Sequence, residues 1–422
     1  MKILIIGAGG REHALARAFE KSKKTSRVFV APGNPGMELE AEKISCVPIA
    51  ATDKEGLVEF AKENGITYTV VGPELTIEAG VVDAFMEHGL AVVGPTKTAG
   101  QIETSKVFAK TLMAEAGIPT ARFEVFTPHQ LAEAKTYVDT LALPVVIKEN
   151  GLAAGKGVYI CEDRATAYDV LQEMMEEKQV DIVVEEFLVG AEFSHFSLVN
   201  EEHIIPLGIA KDYKRAFDGS KGPNTGGMGA VSPVTPEDEA IGEDIMNQVV
   251  RPLVEKMNQR GTPYTGILYT GVMMTVSGIK VIEFNARFGD PETQVLLPMI
   301  ENDWIDILEN HFDKRPLQLN YTKKQSLGVI VAAKGYPGTH EKGFPLPVPP
   351  CTEETTIHYS GVSSQDGQLT AAGGRLFMIS SQAETIAQCR ENVYAWLEQL
   401  DSTHVFYRRD IGRMDTLIAE RK

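Results

Sequence analysis

The segment Val281-Ile282-Glu283-Phe284-Asn285-Ala286-Arg287 alternates apolar and polar side chains. On a strand, Glu283, Asn285 and Arg287 share one face, while Ile282, Phe284 and Ala286 point the other way, into a core. A carboxylate and an amide oxygen at that spacing suit a hard divalent cation that also bridges phosphates. The neighbouring guanidinium suits bidentate contact with an anion. A polar solvent face is the alternative, and the strongly apolar surroundings weaken it.

Two glycine segments are candidates for holding phosphate. Gly7-Ala8-Gly9-Gly10 leaves a strand and opens a helix. It either makes a tight turn only or seats a phosphate on the helix N-terminus. A dinucleotide is disfavoured, because the third glycine of the fingerprint falls at Glu12 and the second strand ends in Val30-Ala31, with no carboxylate for a ribose. Gly151-Leu152-Ala153-Ala154-Gly155-Lys156-Gly157 is one residue short of a P-loop, lacks the following Ser/Thr and enters a strand. It reads as a pliable loop whose N–H groups close on a phosphate chain, with Lys148 before it and Lys156 inside it to neutralise charge. An exposed hairpin with solvated lysines is the alternative. The run Asp181–Leu188 ends in Glu185-Glu186-Phe187-Leu188, with Glu192 close behind. That is either a solvated strand end or an apolar slot with a carboxylate, as a purine nucleoside needs. No Ser-His-Asp or Cys-His arrangement points to a covalent enzyme intermediate.

These groups need elements to position them. Lys2–Ile6, Arg27–Val30, Thr67–Val71 and Leu90–Val93 are short apolar runs, each followed by a Gly- or Pro-rich turn. Their alternation with helical patterns predicts a parallel, doubly wound sheet with ligands at the carboxyl ends of its strands. Those ends carry Gly7–Gly10, Ala31–Asn34 and Gly72–Glu74. Ser105 is placed to cap a helix over Lys106–Ala116 that Gly117 and Pro119 close. Beyond Thr120 the pattern turns to strands, including Val145–Lys148, Val158–Ile160, Ile182–Glu185, Phe193–Val199, His203–Ala210, Ile267–Thr275 and Ile279–Asn285. A Gly-rich loop is expected over Phe217–Gly229, a helix near Glu237–Arg260, and a last α/β unit from about Leu327.

The chain of 422 residues is long enough for two to four compact units. Its 43% hydrophobic and 23% charged residues are ordinary for a soluble globular protein. A formal net charge of -17 disfavours a broad nucleic-acid footprint, so phosphates must be handled locally. Cys46, Cys161, Cys351 and Cys389 are isolated, as in a reduced, cytoplasmic protein. The first apolar run stops at a glycine turn followed by Arg11-Glu12-His13, which is a buried strand and not a leader. No apolar stretch nears the ~20 residues of a membrane span.

Taken in order, Gly7–Ala14, Ala31–Asn34, Val71–Glu74, Gly151–Gly157, Gly222–Gly229 and Glu283–Gln294 resemble the ATP-grasp superfamily, and within it the glycinamide ribonucleotide synthetase family. The resemblance implies an α/β protein: a Rossmann-like N-terminal domain (1–101), an ATP-grasp core (102–325) with a lid at about 121–188, and a C-terminal α/β domain (326–422). It implies ligation of glycine to 5-phosphoribosylamine, with ATP consumed and glycyl phosphate as intermediate, aided by Mg2+ or Mn2+. Lys106, Lys148, Gly151, Gly155, Lys156 and Gly157 match positions that hold the ATP phosphates. Glu185, Glu186, Phe187 and Leu188 match the adenine hinge, and Glu192 the ribose ligand. Glu283 and Asn285 match the metal ligands. Arg287, Lys148 and Asp212 are the implied catalytic residues. Gly9, Gly10, Gly72, Pro73, Glu74, Lys214, Gly226, Gly227, Met228, Arg287 and Asp290 would surround the two smaller substrates. The implied partners are small molecules, with no nucleic acid or membrane and at most transient contact with neighbouring pathway enzymes. Two departures stand out: Gly266–Thr275 carries no second acidic ligand, and Glu149-Asn150 replace the expected small residue and Asp before the loop.

Overall fold

Lys2–Gly7 is the middle strand of a five-stranded parallel sheet in a computed structural model that describes residues 1–39, 41–152, 157–346 and 348–413. The strand order is Ile44–Cys46, Arg27–Pro32, Lys2–Gly7, Tyr68–Val71, Val92–Val93. Helices cover both faces, which is why Ile3 to Ile6 are all apolar and fully buried. The chain builds outward on one side of Lys2–Gly7 and then crosses to the other. Gly7 and Gly72 therefore lie side by side where the order reverses, the usual place for a ligand crevice.

A second sheet of nine strands carries most of the remaining chain. Its path runs Gly278–Asn285, Thr265–Thr275, Ala191–Asn200, His203–Asp212, Gly229–Ser232, Gln325–Ala333, Arg375–Ala383, Thr355–Tyr359, and Val405–Phe406 pairs with Gln325–Ala333. Gly229–Ser232 is the bridge: it pairs with Lys211-Asp212 on one side and with Ser326–Val329 on the other. The carboxy-terminal unit is thus hydrogen-bonded into the central sheet.

A separate four-stranded sheet holds Phe123–Phe126, Ile182–Glu186, Val145–Glu149 and Val158–Cys161 in that order. Helices Leu131–Thr140 and Arg164–Gln172 cover it, and its apolar cluster, from Phe126 to Val184, is drawn from this unit alone. Its described links to the rest across the cleft include Ser105 to Asn150 and Lys106 to Gly151.

Three local features differ from the sequence expectation. Gly271 pairs with Glu283 but Val272 pairs with Val281, so Ile282 is the extra residue of a bulge. Val281 is the fully buried residue and Ile282 is only partly covered, contrary to a strict alternation. The alternation from Glu283 to Arg287 survives. Within Phe217–Gly229 the chain is not all loop, because Arg215–Phe217 and Lys221–Asn224 form a short ribbon. The helix expected near Glu237–Arg260 is interrupted by a π turn over Met246–Val250. Pro252 follows at once, and a proline has no N–H for the preceding turn and crowds its carbonyl.

Candidate active site

Glu283 lies open to solvent on the strand Gly278–Asn285 of the nine-stranded sheet, where that sheet faces the separate four-stranded one. Crowding by protein atoms pushes its carboxyl up, yet Lys214, Lys148, Lys106 and Arg287 together hold it below the usual range. Four cations drawn from four separate stretches of the chain thus surround one carboxylate.

Each cation is positioned differently. Lys106 opens the helix Lys106–Ala116, which Ser105 caps and Gly117 ends as the sequence predicts, and donates to the Gly151 carbonyl at 2.8 Å. Lys148, the last residue but one of the strand Val145–Glu149, donates to the Ile282 carbonyl at 3.2 Å and pairs with Glu185 at 3.0 Å. Lys214 contacts Glu192 closely. Arg287 donates through Nε to Glu74 at 3.1 Å and through Nη2 to Asn285 at 3.3 Å, and its Nη2 pairs with Glu103 at 2.9 Å. Burial opposes its charge, but Glu103 and Glu74 hold its pKa above the ordinary value. Arg287 therefore ties the short helix Glu74–Glu78 of the amino-terminal unit to the end of the strand Gly278–Asn285.

The glycine loop Gly7–Gly10 is built around an acid. The Gly9 N–H donates to Glu12 at 2.6 Å, and Arg11 Nε donates to its other oxygen at 2.5 Å. A Cβ on Gly72 would stand 2.0 Å from that oxygen, so Gly72 leaves room for the same carboxylate. Glu12 sits where a dinucleotide fingerprint has glycine, consistent with the sequence argument against such a cofactor. Pro73 and Glu74 follow as the start of the short helix Glu74–Glu78. Gly10 meets Gln294 and Ser360, and Gly9 meets Asp290, so this loop closes on the segment beyond Arg287.

Asp290 is held below the usual carboxylate range by Arg375 and Arg11, against the effect of burial. Arg375, on a strand of the carboxy-terminal unit, donates to the carbonyls of Gly226 at 2.6 Å and Asp290 at 2.7 Å. Gly227 takes φ +111, where a side chain would strike Pro291. The Met228 side chain points instead into the core. Asp212, beside Lys214, is pushed up to about 8 by burial and by Glu292, Glu192 and Glu283. Glu292 is likewise pushed up by burial, while Asp212 and Glu192 hold the charge of Lys214 firmly in place.

At the end of the strand Ile182–Glu186, the Glu185 carboxylate is buried between Lys110 and Lys148, each 3.0 Å away. Glu186 receives Lys280 at 2.7 Å and the Arg122 N–H at 3.0 Å. Phe187 is exposed and Leu188 half-buried. Gly155 and Lys156 lie outside the described residues; Gly151 is half-buried, and Gly157 accepts from the Glu149 N–H at 2.8 Å. Glu103, Lys110, Glu292 and Arg375 escaped the sequence reading. Lys110 alone left a trace, four residues after Lys106 and so on the same helical face. A separate hollow of about 1250 Å³, lined by Phe193, Val234 and Tyr394, lies on the sheet face opposite Glu192 and Ser194.

A divalent cation fits this donor set. Among the described residues no cluster of three His, Cys, Asp or Glu exists. A cation that keeps several waters and takes its remaining oxygens from phosphates needs only one or two carboxylates from protein.

The chain matches the Phosphoribosylglycinamide synthetase family in its N domain over residues 1–103, its ATP-grasp (A) domain over 104–293 and its C domain over 326–414. Among its relatives, the phosphoribosylamine–glycine ligase of Halalkalibacterium halodurans is 44% identical over 427 residues, covering 100% of this chain and 98% of the relative. That of Lactococcus lactis subsp. lactis is 45% identical, covering 98% and 99%. The crystal structure of phosphoribosylamine–glycine ligase from Thermotoga maritima superposes with a TM-score of 0.82 at 30% identity, covering 97% of this chain and 100% of that one. A biotin carboxylase from Campylobacter jejuni shares the fold, with a TM-score of 0.74 at 13% identity, covering 100% and 97%. With all three of its domains matched and full-length relatives well above 30% identity, the chain belongs to the phosphoribosylglycinamide synthetase family of ATP-grasp ligases.

Proposed function

We propose that this ATP-dependent ligase joins glycine to 5-phosphoribosylamine, giving glycinamide ribonucleotide, ADP and phosphate in purine biosynthesis. The observation that carries the reading is the convergence of Lys106, Lys148, Lys214 and Arg287 on Glu283 in one cleft. A glycine carboxylate oxygen attacks the γ-phosphorus of ATP, and ADP leaves. The amine nitrogen then attacks the carbonyl carbon of glycyl phosphate, and phosphate leaves. Both steps move negative charge between oxygens, so positioned cations lower their barriers.

Lys148 and Lys106 take the phosphate chain, and Arg287 steadies the phosphoryl group in transfer. Asp212, pushed up to about 8 by burial and its acidic neighbours, receives the proton that the attacking amine sheds when it is in its ionised form, the minor form below that pH. Glu283 and Asn285 would hold Mg2+ or Mn2+, which when bound neutralises phosphate charge. Gly9, Gly10, Glu74 and Asp290 line the substrate side with Gly226 and Gly227. The units that carry these roles are 1–101, 102–325 with a lid over about 121–188, and 326–422. The lid's separate core supports closure as one body, which excludes water from the acyl phosphate.

The test is ADP release from ATP and Mg2+, with glycine and freshly made phosphoribosylamine added singly and together. Release that requires both is the expected result. Release with bicarbonate alone, or with neither substrate, would replace this reading with that of another ATP-grasp enzyme.

A further inference from the structure

Lys110 is 2% exposed, and the reaction described above makes no use of it. Burying an ammonium is costly unless it is paired and hydrogen-bonded. Lys110 has both kinds of partner: it donates to Thr120 Oγ1 at 2.7 Å and faces Glu185 Oε1 at 3.0 Å. The second contact is an ion pair and not an aligned hydrogen bond. Thr120 in turn donates to the Val281 carbonyl at 2.7 Å, two residues before Glu283.

The other oxygen of Glu185 faces Lys148, also at 3.0 Å. One carboxylate is thus shared by two lysines, one from the helix Lys106–Ala116 and one from the lid strand Val145–Glu149. The three charges sum to +1. Without Lys110 they would sum to zero, and Glu185 would bind the Lys148 ammonium alone, in direct competition with phosphate. At 3 Å in a shielded site such competition is strong.

We propose that Lys110 is a positioning residue for ATP: by neutralising Glu185 it leaves the charge of Lys148 available to the phosphate chain. The proposal rests on the ATP-dependent reading of this cleft. A purely structural Lys110 would affect stability and leave nucleotide affinity alone.

Titration offers an independent handle. Burial lowers the Lys110 pKa to about 8, against the pull of Glu185 and with a push from Lys148. The charged groups facing it are Glu185 and Glu186 on one lid strand and Lys148 on another; the Phe123 ring lies 5.2 Å away. Lys110 is charged below that pH and neutral above it.

The experiment measures ADP binding to the full-length protein with Mg2+ by calorimetry, from pH 7 to 9.5, for wild type, Lys110→Met and Lys110→Arg. Lys110→Met should weaken binding on the order of tenfold at pH 7, as expected for losing one charge-assisted interaction. Lys110→Arg should restore it. Wild-type affinity should fall as pH rises through about 8, and Lys110→Arg should show no fall there because a guanidinium stays charged. Unchanged affinity in Lys110→Met overturns the proposal, as does the same alkaline fall in Lys110→Arg. If Lys110→Met does not fold, the comparison of wild type with Lys110→Arg decides alone. Glycine and phosphoribosylamine are absent from this measurement, so a failure of the ligase reading would appear in the product assay and not here.

Discussion

Glu283 and Asn285 share a strand face, but their surroundings ask different things of them. Asn285 accepts a hydrogen bond from Arg287 and so helps to fix the guanidinium. Glu283 is open to solvent, and what surrounds it is positive charge. An acid in that place draws in a cation and, without one, would repel phosphate. Glu283→Gln keeps the shape and removes the charge. Its turnover with Mg2+ should fall by at least about a hundredfold, since even residues that only support a metal ligand are worth 10- to 100-fold. ADP binding without metal should not weaken, and the unfolding midpoint should stay within a few degrees of wild type. Wild-type turnover in the mutant would remove Glu283 from the metal site. A loss of metal-free nucleotide binding would instead make it a structural acid.

At the scale of elements, the first strand–turn–helix unit shows why its glycines are needed. Glu12 is 1% exposed and fills the space beneath the turn. A Cβ on Gly72 would stand 2.0 Å from Glu12 Oε1, which Arg11 Nε holds at 2.5 Å, and 2.7 Å from the backbone carbonyl of Ile6. Gly72→Ala should therefore cost about 1–3 kcal/mol, the usual range for overpacking, read as a fall of several degrees in the unfolding midpoint. An unchanged midpoint would mean that Glu12 can leave its place. The same unit marks the limit of what a sequence reveals. The turn, the strand before it and the helix after it follow from local signals, as do Ser105 and Gly117 at the ends of their helix. Glu283, Asn285 and Arg287 are legible as one face because a strand has period two. The bulge at Ile282 is not, because it is set by the register of Thr265–Thr275. Glu103 and Lys110 are invisible for a related reason. Their partners, Arg287 and Glu185, lie far along the chain, and only the packing of the helices against the two sheets brings them together.

The whole molecule is joined at several places by buried histidines, and this sets its response to acid. His13 and His358 meet edge to face at 5.8 Å between the amino-terminal helix and a carboxy-terminal strand. His195 lies in the central sheet next to the helix Asp238–Ile245, and the backbone of His311 receives Asn200 at 3.0 Å. Burial is the main cause that lowers all four: His195 to about 4, His311 and His358 to about 3, and His13 well below its ordinary value. The fold holds them neutral, whereas an unfolded chain takes up a proton on each below about pH 6.5. Their contribution to stability is therefore complete above that pH and is lost as pH falls, at roughly 1.4 kcal/mol per pH unit for each histidine. Asp212, raised to about 8, acts in the opposite sense, because the fold keeps its proton where the unfolded chain has released it. Below pH 6.5 the four histidines, joined as pH falls by the depressed carboxylates Glu74, Glu283 and Asp290, outweigh the raised carboxyls. Above pH 6.5 they are silent, and the raised carboxyls lower stability as pH rises, Asp212 doing so until about pH 8 and Glu103, Glu292 and Asp238 acting in the same sense. Stability should then peak near pH 6.5 and fall steeply towards pH 5, as thermal unfolding at half-unit intervals would reveal. His311→Leu tests the cause, since neither ring nitrogen of His311 has a hydrogen-bond partner among the described residues. The variant should soften the acid limb by one proton's worth. An acid limb that is flat in the wild type, or equally steep in the variant, would mean that these imidazoles do not govern how the molecule comes apart.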